Sequence, residues 1–406
     1  MHLRARWNGL GKRIRLKRLR KAWRVLVVLS VVIGLVSGII TMYGFLYPQS
    51  TQNTKTFTTK IFTTQKTLLY STLVRTVHED RWSEPKQLTV GRSEEYQPSI
   101  SQDSGGKIWV FFVSDMSGKP QIYYMTSADK GQTWFSPEEF VAAHENTEQT
   151  IDETGYPMVG SPSALFEDSR GKMWIAWQRW TAPSQSDIWY SSSEDMGMTW
   201  SDKRCLISYP DDDTSLSFLE DGNEIWIVWR SFGISFNWDI WYAKTIDSGT
   251  SWTSPKKVTS DGLRHDYCRA LKDSQGIIWI FYTGLTSPYE PETAEIYYKT
   301  TWDKGASWLE QKQVTFAVSE KNIFDVAESD TDVFVFYTNR YDPNIWYVTS
   351  SDGGLTWSST SVLSPSPGYD GNPSAYSFGK DLWVVWESDR TGNMDIWYSS
   401  LPTLAS

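Results

Sequence analysis

Cysteine is nearly absent: the 406 residues include only two, Cys205 and Cys268. Two thiols allow one bridge at most, which excludes a disulfide scaffold and a Cys-rich metal site. Both are expected to be ordinary buried thiols. An excess of positive charge is missing too. Against 39 Lys and Arg stand 48 Asp and Glu, a net of −9, which argues against nucleic-acid binding by the bulk of the chain. No P-loop, Rossmann glycine pattern, nucleophile elbow or HExxH occurs, so neither cofactor nor metal is expected. What the chain does have is aromatic. It carries 23 Trp, 21 Tyr and 17 Phe, ample for a packed core and incompatible with global disorder.

The charge is divided unevenly along the chain. Residues 1–24 hold ten basic residues and no acid, so the remainder is at −19. Between lies Val25–Tyr47, 23 residues without a charge, long enough as a helix to span the roughly 30 Å hydrocarbon core. A signal peptide would have a shorter apolar region and a small-residue cleavage site; the run here is too long and lacks that site. An uncleaved transmembrane helix is the expectation. The basic tail orients it, holding the N-terminus in the cytoplasm and everything after Tyr47 outside the cell. Gly34 and Gly38 form a GxxxG pair, a weak dimerisation signal. Residues 48–76 read as a stalk, with nine threonines between Thr51 and Thr72. The short echo TFTTK/IFTTQ allows a local strand there instead.

From residue 77 onward the sequence repeats. An apolar strand recurs six times: IWVFF (108–112), MWIAW (173–177), IWIVW (225–229), IWIFY (278–282), VFVFY (333–337) and LWVVW (382–386). A second strand, IYY or IWY, follows each, and a small-residue strand such as PSIS or PSAY precedes it. β-Branched and aromatic residues in runs this short favour strands over helices. A turn also recurs: SADKGQTW (127–134), SEDMGMTW (193–200), TIDSGTSW (245–252), TWDKGASW (301–308) and SSDGGLTW (350–357). Its Asp accepts backbone N–H bonds, its Gly supplies positive φ and its closing Trp buries a large ring. Trp82, in RWSEP, matches the segment that closes these turns, whereas the chain ends without a sixth outer strand. The stretch near Trp82–Leu88 is therefore expected to complete the last sheet. Four-stranded sheets closed in this way make a six-bladed β-propeller over residues 77–406.

These five turns resemble the Asp boxes, or BNR repeats, of the sialidase superfamily. The resemblance implies an all-β, six-bladed propeller, here preceded by one N-terminal transmembrane helix. It also implies that Asp129, Asp195, Asp247, Asp303 and Asp352 are structural, because Asp boxes in that family lie opposite the active face. Sialidases use an arginine triad, a Tyr–Glu pair and an Asp acid/base. This chain reads Tyr96-Gln97-Pro98-Ser99 where an Arg-Ile-Pro motif is typical, and WESDR (386–390) resembles a Glu-x-Arg segment of the family.

On the face away from the turns, the repeats place Arg179, Arg230, Arg340 and Arg390 at equivalent points of four blades. Asp266, Tyr267, Arg269, Tyr369 and Asp370 begin inner strands near the same rim. Guanidinium forks suit a carboxylate or sulfate ligand, and Arg269 is the foremost candidate; the alternative is pairing with nearby acids, such as Asp389 beside Arg390. The long connection 138–160 carries His144 and several acids without a ligand spacing, and Asp211–Asp213 does not match an EF-hand. The expected function is a membrane-anchored propeller that binds glycan or surface-protein ligands through this face. The alternative is an exo-glycosidase acting on acidic sugars.

Overall fold

The computed structural model describes residues 54–61, 69–76, 82–140, 159–182, 185–207, 212–233, 237–285, 294–316, 323–339, 342–378 and 381–401. The basic tail and the apolar segment 25–47 lie outside the described residues. Among the described residues no helix is long and apolar enough to cross a membrane. The chain divides into two compact units, Met1–Asp80 and Arg81–Ser406. In the first, Thr54–Ile61 and Leu69–Thr76 pair as an antiparallel hairpin, in unbroken register from Thr54↔Thr76 to Ile61↔Leu69. The Thr-rich stretch thus contains strands, as its β-branched composition permits.

The second unit consists of six four-stranded antiparallel sheets. Blades 1 to 5 are residues 95–139, 159–207, 213–257, 265–313 and 324–362, and blade 6 is 370–401. Lys86–Gln87 adds the outer strand of blade 6, pairing with Tyr398 and Trp397. The first strand of the propeller therefore closes against the last. Closure removes the free sheet edge that an open array would expose.

The core is distributed among the blade interfaces. Among the described residues six clusters of buried apolar residues occur, and each joins the facing surfaces of two neighbouring blades. Their largest members come from the second strands, including Trp174, Trp226 and Trp279. Burying about 200 Å² of each indole stabilises the fold by at most about 5 kcal/mol.

The five Asp-box turns connect these interfaces. In the third, Thr245 Oγ1 donates to Asp247 Oδ1 (2.7 Å), while Ser251 donates its backbone N–H (2.9 Å) and its hydroxyl (2.6 Å) to the same carboxylate. The other turns repeat the pattern, as at Asp129 and Asp352. Hydrogen bonds from the closing Thr or Ser hold Asp129, Asp195, Asp247 and Asp303 down at about 2. All five aspartates serve the turns.

The turn glycine reaches across to the preceding blade. Gly249, at φ +84°, lies so close to Trp174 that an added Cβ would sit 2.7 Å from the ring; Gly131, Gly197, Gly305 and Gly354 meet Trp383, Trp109, Trp226 and Trp279 in the same way. Third-strand tyrosines complete the contact, with Tyr242 donating to the Gly305 carbonyl at 2.8 Å and Tyr298 to Gly354 at 2.8 Å. Blade 6 has no such turn, and the blade behind it carries Phe334 in place of Trp. Trp82 packs there instead, edge-on to Phe336 and Tyr347 at 5.6 and 5.8 Å.

Gly305 and Gly222 separate backbone strain from this crowding. Both have positive φ, but an added Cβ at Gly222 meets nothing within 4 Å, whereas at Gly305 it meets Trp226 and Tyr242 at 2.9 Å. Urea unfolding is expected to show Gly222→Ala costing about 1 kcal/mol and Gly305→Ala costing a further 1–3 kcal/mol or so from overpacking. Equal losses would remove the glycine–indole contact from the account.

Candidate functional site

Asp-box turns follow the ends of third strands, so the loops joining second to third strands and the starts of the inner strands lie on the opposite rim. There the inner strands are irregular. Register breaks fall between Tyr96 and Ser99, Thr214 and Ser217, Asp266 and Cys268, and Gly371 and Ser374. Inside these bulges Gln97, Ser215, Tyr267 and Asn372 take positive φ, from +32° to +53°. Non-glycine residues held in this region cost about 1 kcal/mol or more each and concentrate where geometry serves a site.

Two of these strained residues converge on one carboxylate. Glu387 is the penultimate residue of the strand Asp381–Ser388 and is only 4% exposed. The backbone N–H of Gln97 donates to its Oε2 at 2.7 Å, and Asn372 Nδ2 donates to Oε1 at 2.6 Å. Tyr369 adds a side-chain hydrogen bond. Burial raises the Glu387 carboxyl to about 7 against the opposing pull of these three donors. Gly371 makes the arrangement possible: an added Cβ would fall 2.1 Å from the Tyr369 hydroxyl. Tyr369 itself is 37% exposed, so it is the solvent-facing half of a Tyr–Glu pair. Tyr96 lies close by and is pushed up to about 12 by burial and by the charges of Glu94 and Glu387.

A carboxyl that titrates near neutrality beside a phenol can accept or donate a proton at ordinary pH. Tyr369 and Glu387 are such a phenol and carboxyl, joined by a hydrogen bond. Glu387 was legible only as part of WESDR. The stronger signal is positional: all six third strands place an Ile opposite this point, and the paired residues are Val113, Gln178, Arg230, Thr283, Thr338 and Glu387.

The same registers separate the arginines expected at equivalent points. Arg230 pairs with Ile240, whereas Arg179 pairs with Asp187, one residue further along. Arg340 lies outside the described residues. Arg230 donates to Asp266 at 2.6 Å and stacks over Trp238 at 3.9 Å. Asp266 also accepts from Arg264 at 2.8 Å. Arg390 reaches both oxygens of the fully buried Asp370, at 2.8 and 2.7 Å, and lies 4.5 Å over the Trp397 ring. Its partner is Asp370 rather than the adjacent Asp389, which instead accepts the Tyr369 backbone N–H at 2.6 Å. Among the described residues, no three guanidiniums gather into one pocket.

Arg269 takes a different position, in the wall of the central channel. This cavity of roughly 400 Å³ is lined by inner strands and includes Gln97, Arg269, Asp325 and Asn372. At one level the strand registers bring round Ser99, Ala164, Ser217, Arg269, Asp325 and Ser374. Arg269 Nε donates to Asp325 Oδ1 at 3.0 Å, and Ala375 N–H donates to Oδ2 at 2.9 Å. Ser374 and Ser217 accept comparable bonds from Ile100 and Ala270 of the next blade. Arg269 is therefore half of an ion pair that joins blades 4, 5 and 6. Asp325 was missed, although an acid among small inner-strand residues marked it.

One cysteine departs from its expected burial. Cys268 is buried, but Cys205 is exposed, because it belongs to the outer strand Arg204–Ile207; neither is bridged. Asp213 is buried and accepts Trp229 Nε1 at 3.0 Å. Among the described residues no group of His, Cys, Asp and Glu is placed to hold a metal ion. His144 and its loop lie outside the described residues.

Residues 64–260 match the BNR repeat-like domain family. No curated protein sequence matches the chain. Among solved structures, a Dyadobacter fermentans protein of unknown function is 16% identical with a TM-score of 0.64, covering 79% of this chain and 98% of its own. The GH93 α-L-arabinofuranosidase of Fusarium graminearum, solved with arabinobiose, is 11% identical at TM-score 0.60, covering 79% and 97%. The NanB sialidase from Streptococcus pneumoniae is 12% identical at TM-score 0.56, covering 78% and 70%. At these identities the likeness is one of fold.

The raised Glu387 carboxyl has a signed consequence for stability. Its folded value, about 7, lies above the ordinary 4.5, so the folded state binds the extra proton between these values. The resulting stability is complete below pH 4.5 and is lost as pH rises through 7. Thermal unfolding of Glu387→Gln against the parent chain is expected to show the parent losing ground to the variant from pH 5 to 8. Parallel curves would place the carboxyl at its ordinary value.

Proposed function

We propose that this chain, a sialidase-like propeller of BNR repeats, is a single-pass membrane protein that displays its propeller outside the cell and binds glycans around Tyr369 and Glu387. The apolar stretch 25–47 beside ten basic residues supports the anchor and its orientation. One observation carries the choice of ligand. The guanidiniums of Arg230, Arg269 and Arg390 each close on a carboxylate of the protein itself, while Tyr369, bonded to Glu387, is still 37% exposed. A site of this kind suits a neutral sugar, with an aromatic face for the ring and buried polar groups to orient the hydroxyls.

The second reading is hydrolysis, favoured by the Glu387 carboxyl near 7. In that case Glu387 takes the proton of the Tyr369 hydroxyl as the phenol oxygen bonds the anomeric carbon and the glycosidic C–O bond breaks, the leaving oxygen taking a proton from water. Water then cleaves the Tyr–sugar bond and the phenol regains its proton from Glu387, a Tyr-nucleophile variant of retaining glycosidase chemistry. A glycan array followed by turnover assays on whatever binds separates the two. The expected result is binding to neutral glycans, weakened about tenfold or more, or 1.4 kcal/mol, in Tyr369→Ala. Hydrolysis abolished by both Tyr369→Phe and Glu387→Gln would establish the enzyme. Binding confined to sialosides, unchanged in Tyr369→Ala, would contradict the proposed site.

A further inference from the structure

The Asp-box turns present apolar side chains to solvent. Met198, Ile246, Trp302 and Leu355 occupy the variable positions of four turns and are between 65% and 81% exposed. Phe135 and Leu309, directly after two closing tryptophans, are exposed as well. The turn fold requires none of them, since its bonds run through Asp, Ser, Thr and Gly. Repetition around the ring brings equivalent turns to the same level on successive blades, so the apolar tips of blades 2 to 5 stand as separate points on one face rather than a groove.

The chain also enters the propeller on this face. Ser83 N–H donates to the Ser400 carbonyl at 2.8 Å, at the end of the strand Asp395–Leu401 where the other blades carry their Asp boxes. The reach back to the proposed span is short. Thr54 pairs with Thr76, so the hairpin returns on itself, and only 48–53 and 77–81 separate Tyr47 from Trp82 along the remaining path. Eleven residues extend to roughly 40 Å at most.

We propose that the Asp-box face rests on the lipid bilayer, with Met198, Ile246, Trp302 and Leu355 inserted at the level of the headgroups, so that the Tyr369–Glu387 rim points away from the membrane. The partner is a lipid surface because separate single tips on one level meet a flat fluid surface together, whereas a protein partner needs a continuous patch. The part of the chain outside the tail is at −19, so insertion of apolar side chains rather than attraction to anionic lipid supplies the contact. The proposal rests on the anchored reading above, and its test is chosen to fail separately from that reading.

The full chain is reconstituted in phosphatidylcholine nanodiscs with single spin labels at Trp302→Cys, Leu355→Cys or Met116→Cys, on a Cys205→Ser background. Cys268 stays unlabelled because it is buried. Met116, exposed in the loop between second and third strands of blade 1, reports the opposite face. Labels at 302 and 355 are expected to collide several-fold more with oxygen than with a water-soluble nickel chelate, relative to the label at 116. Equal, water-like ratios at all three sites would overturn the proposal. So would loss of both collision rates together at 302 and 355, which marks a protein partner or a second copy. Alkaline carbonate extraction tests the anchor independently: an extractable chain contradicts the span, and the same labels with added vesicles then decide docking.

Discussion

The contact between a turn glycine of one blade and an indole of the blade before it is the constraint on which the propeller depends. The Asp carboxylate fixes the turn from within, through the flanking hydroxyls and N–H groups. The glycine, in left-handed conformation, then lays bare backbone against the ring, and at four of the five turns a tyrosine hydroxyl bonds its carbonyl. No other residue type meets both demands, because a Cβ would enter the indole. Each blade thereby seats its neighbour. At the junction lacking the turn, a smaller Phe334 and the incoming Trp82 take over.

This division of labour separates two faces. On one, aspartates saturated by short local bonds are held ionised far below neutrality, which removes them from proton chemistry. On the other, the inner strands bulge into strained conformations, two of those strained residues bond one carboxyl, and its burial raises it to about 7 against their pull. The channel between the faces is lined by Arg269 and Asp325, a pair that neutralises itself while fastening three blades. Charge that looks available for an anion in the sequence is largely consumed in holding the ring together.

The blades were legible because their signals are local. Strand periodicity, the five turns and the RWSEP echo each span fewer than a dozen residues, and the closure by Lys86–Gln87 followed from counting strands. The site was less legible because its partners are distant: Gln97 and Glu387 are 290 positions apart. The arginines misled for a related reason. Nearness to a strand end in sequence does not settle register, and one residue of offset turns a side chain to the other side of the sheet. Glu387 stood where the other blades carry Val, Gln, Arg or Thr, and only an alignment of the six repeats by their third-strand isoleucines isolates it.

Burial poises this one carboxyl, on the face away from the Asp boxes, near neutrality. Carbon-13 labelling of glutamate carboxyls, with the Glu387 resonance assigned by its absence in Glu387→Gln, measures that directly. The account predicts a titration midpoint close to 7. A midpoint at the ordinary value near 4.5 would contradict it.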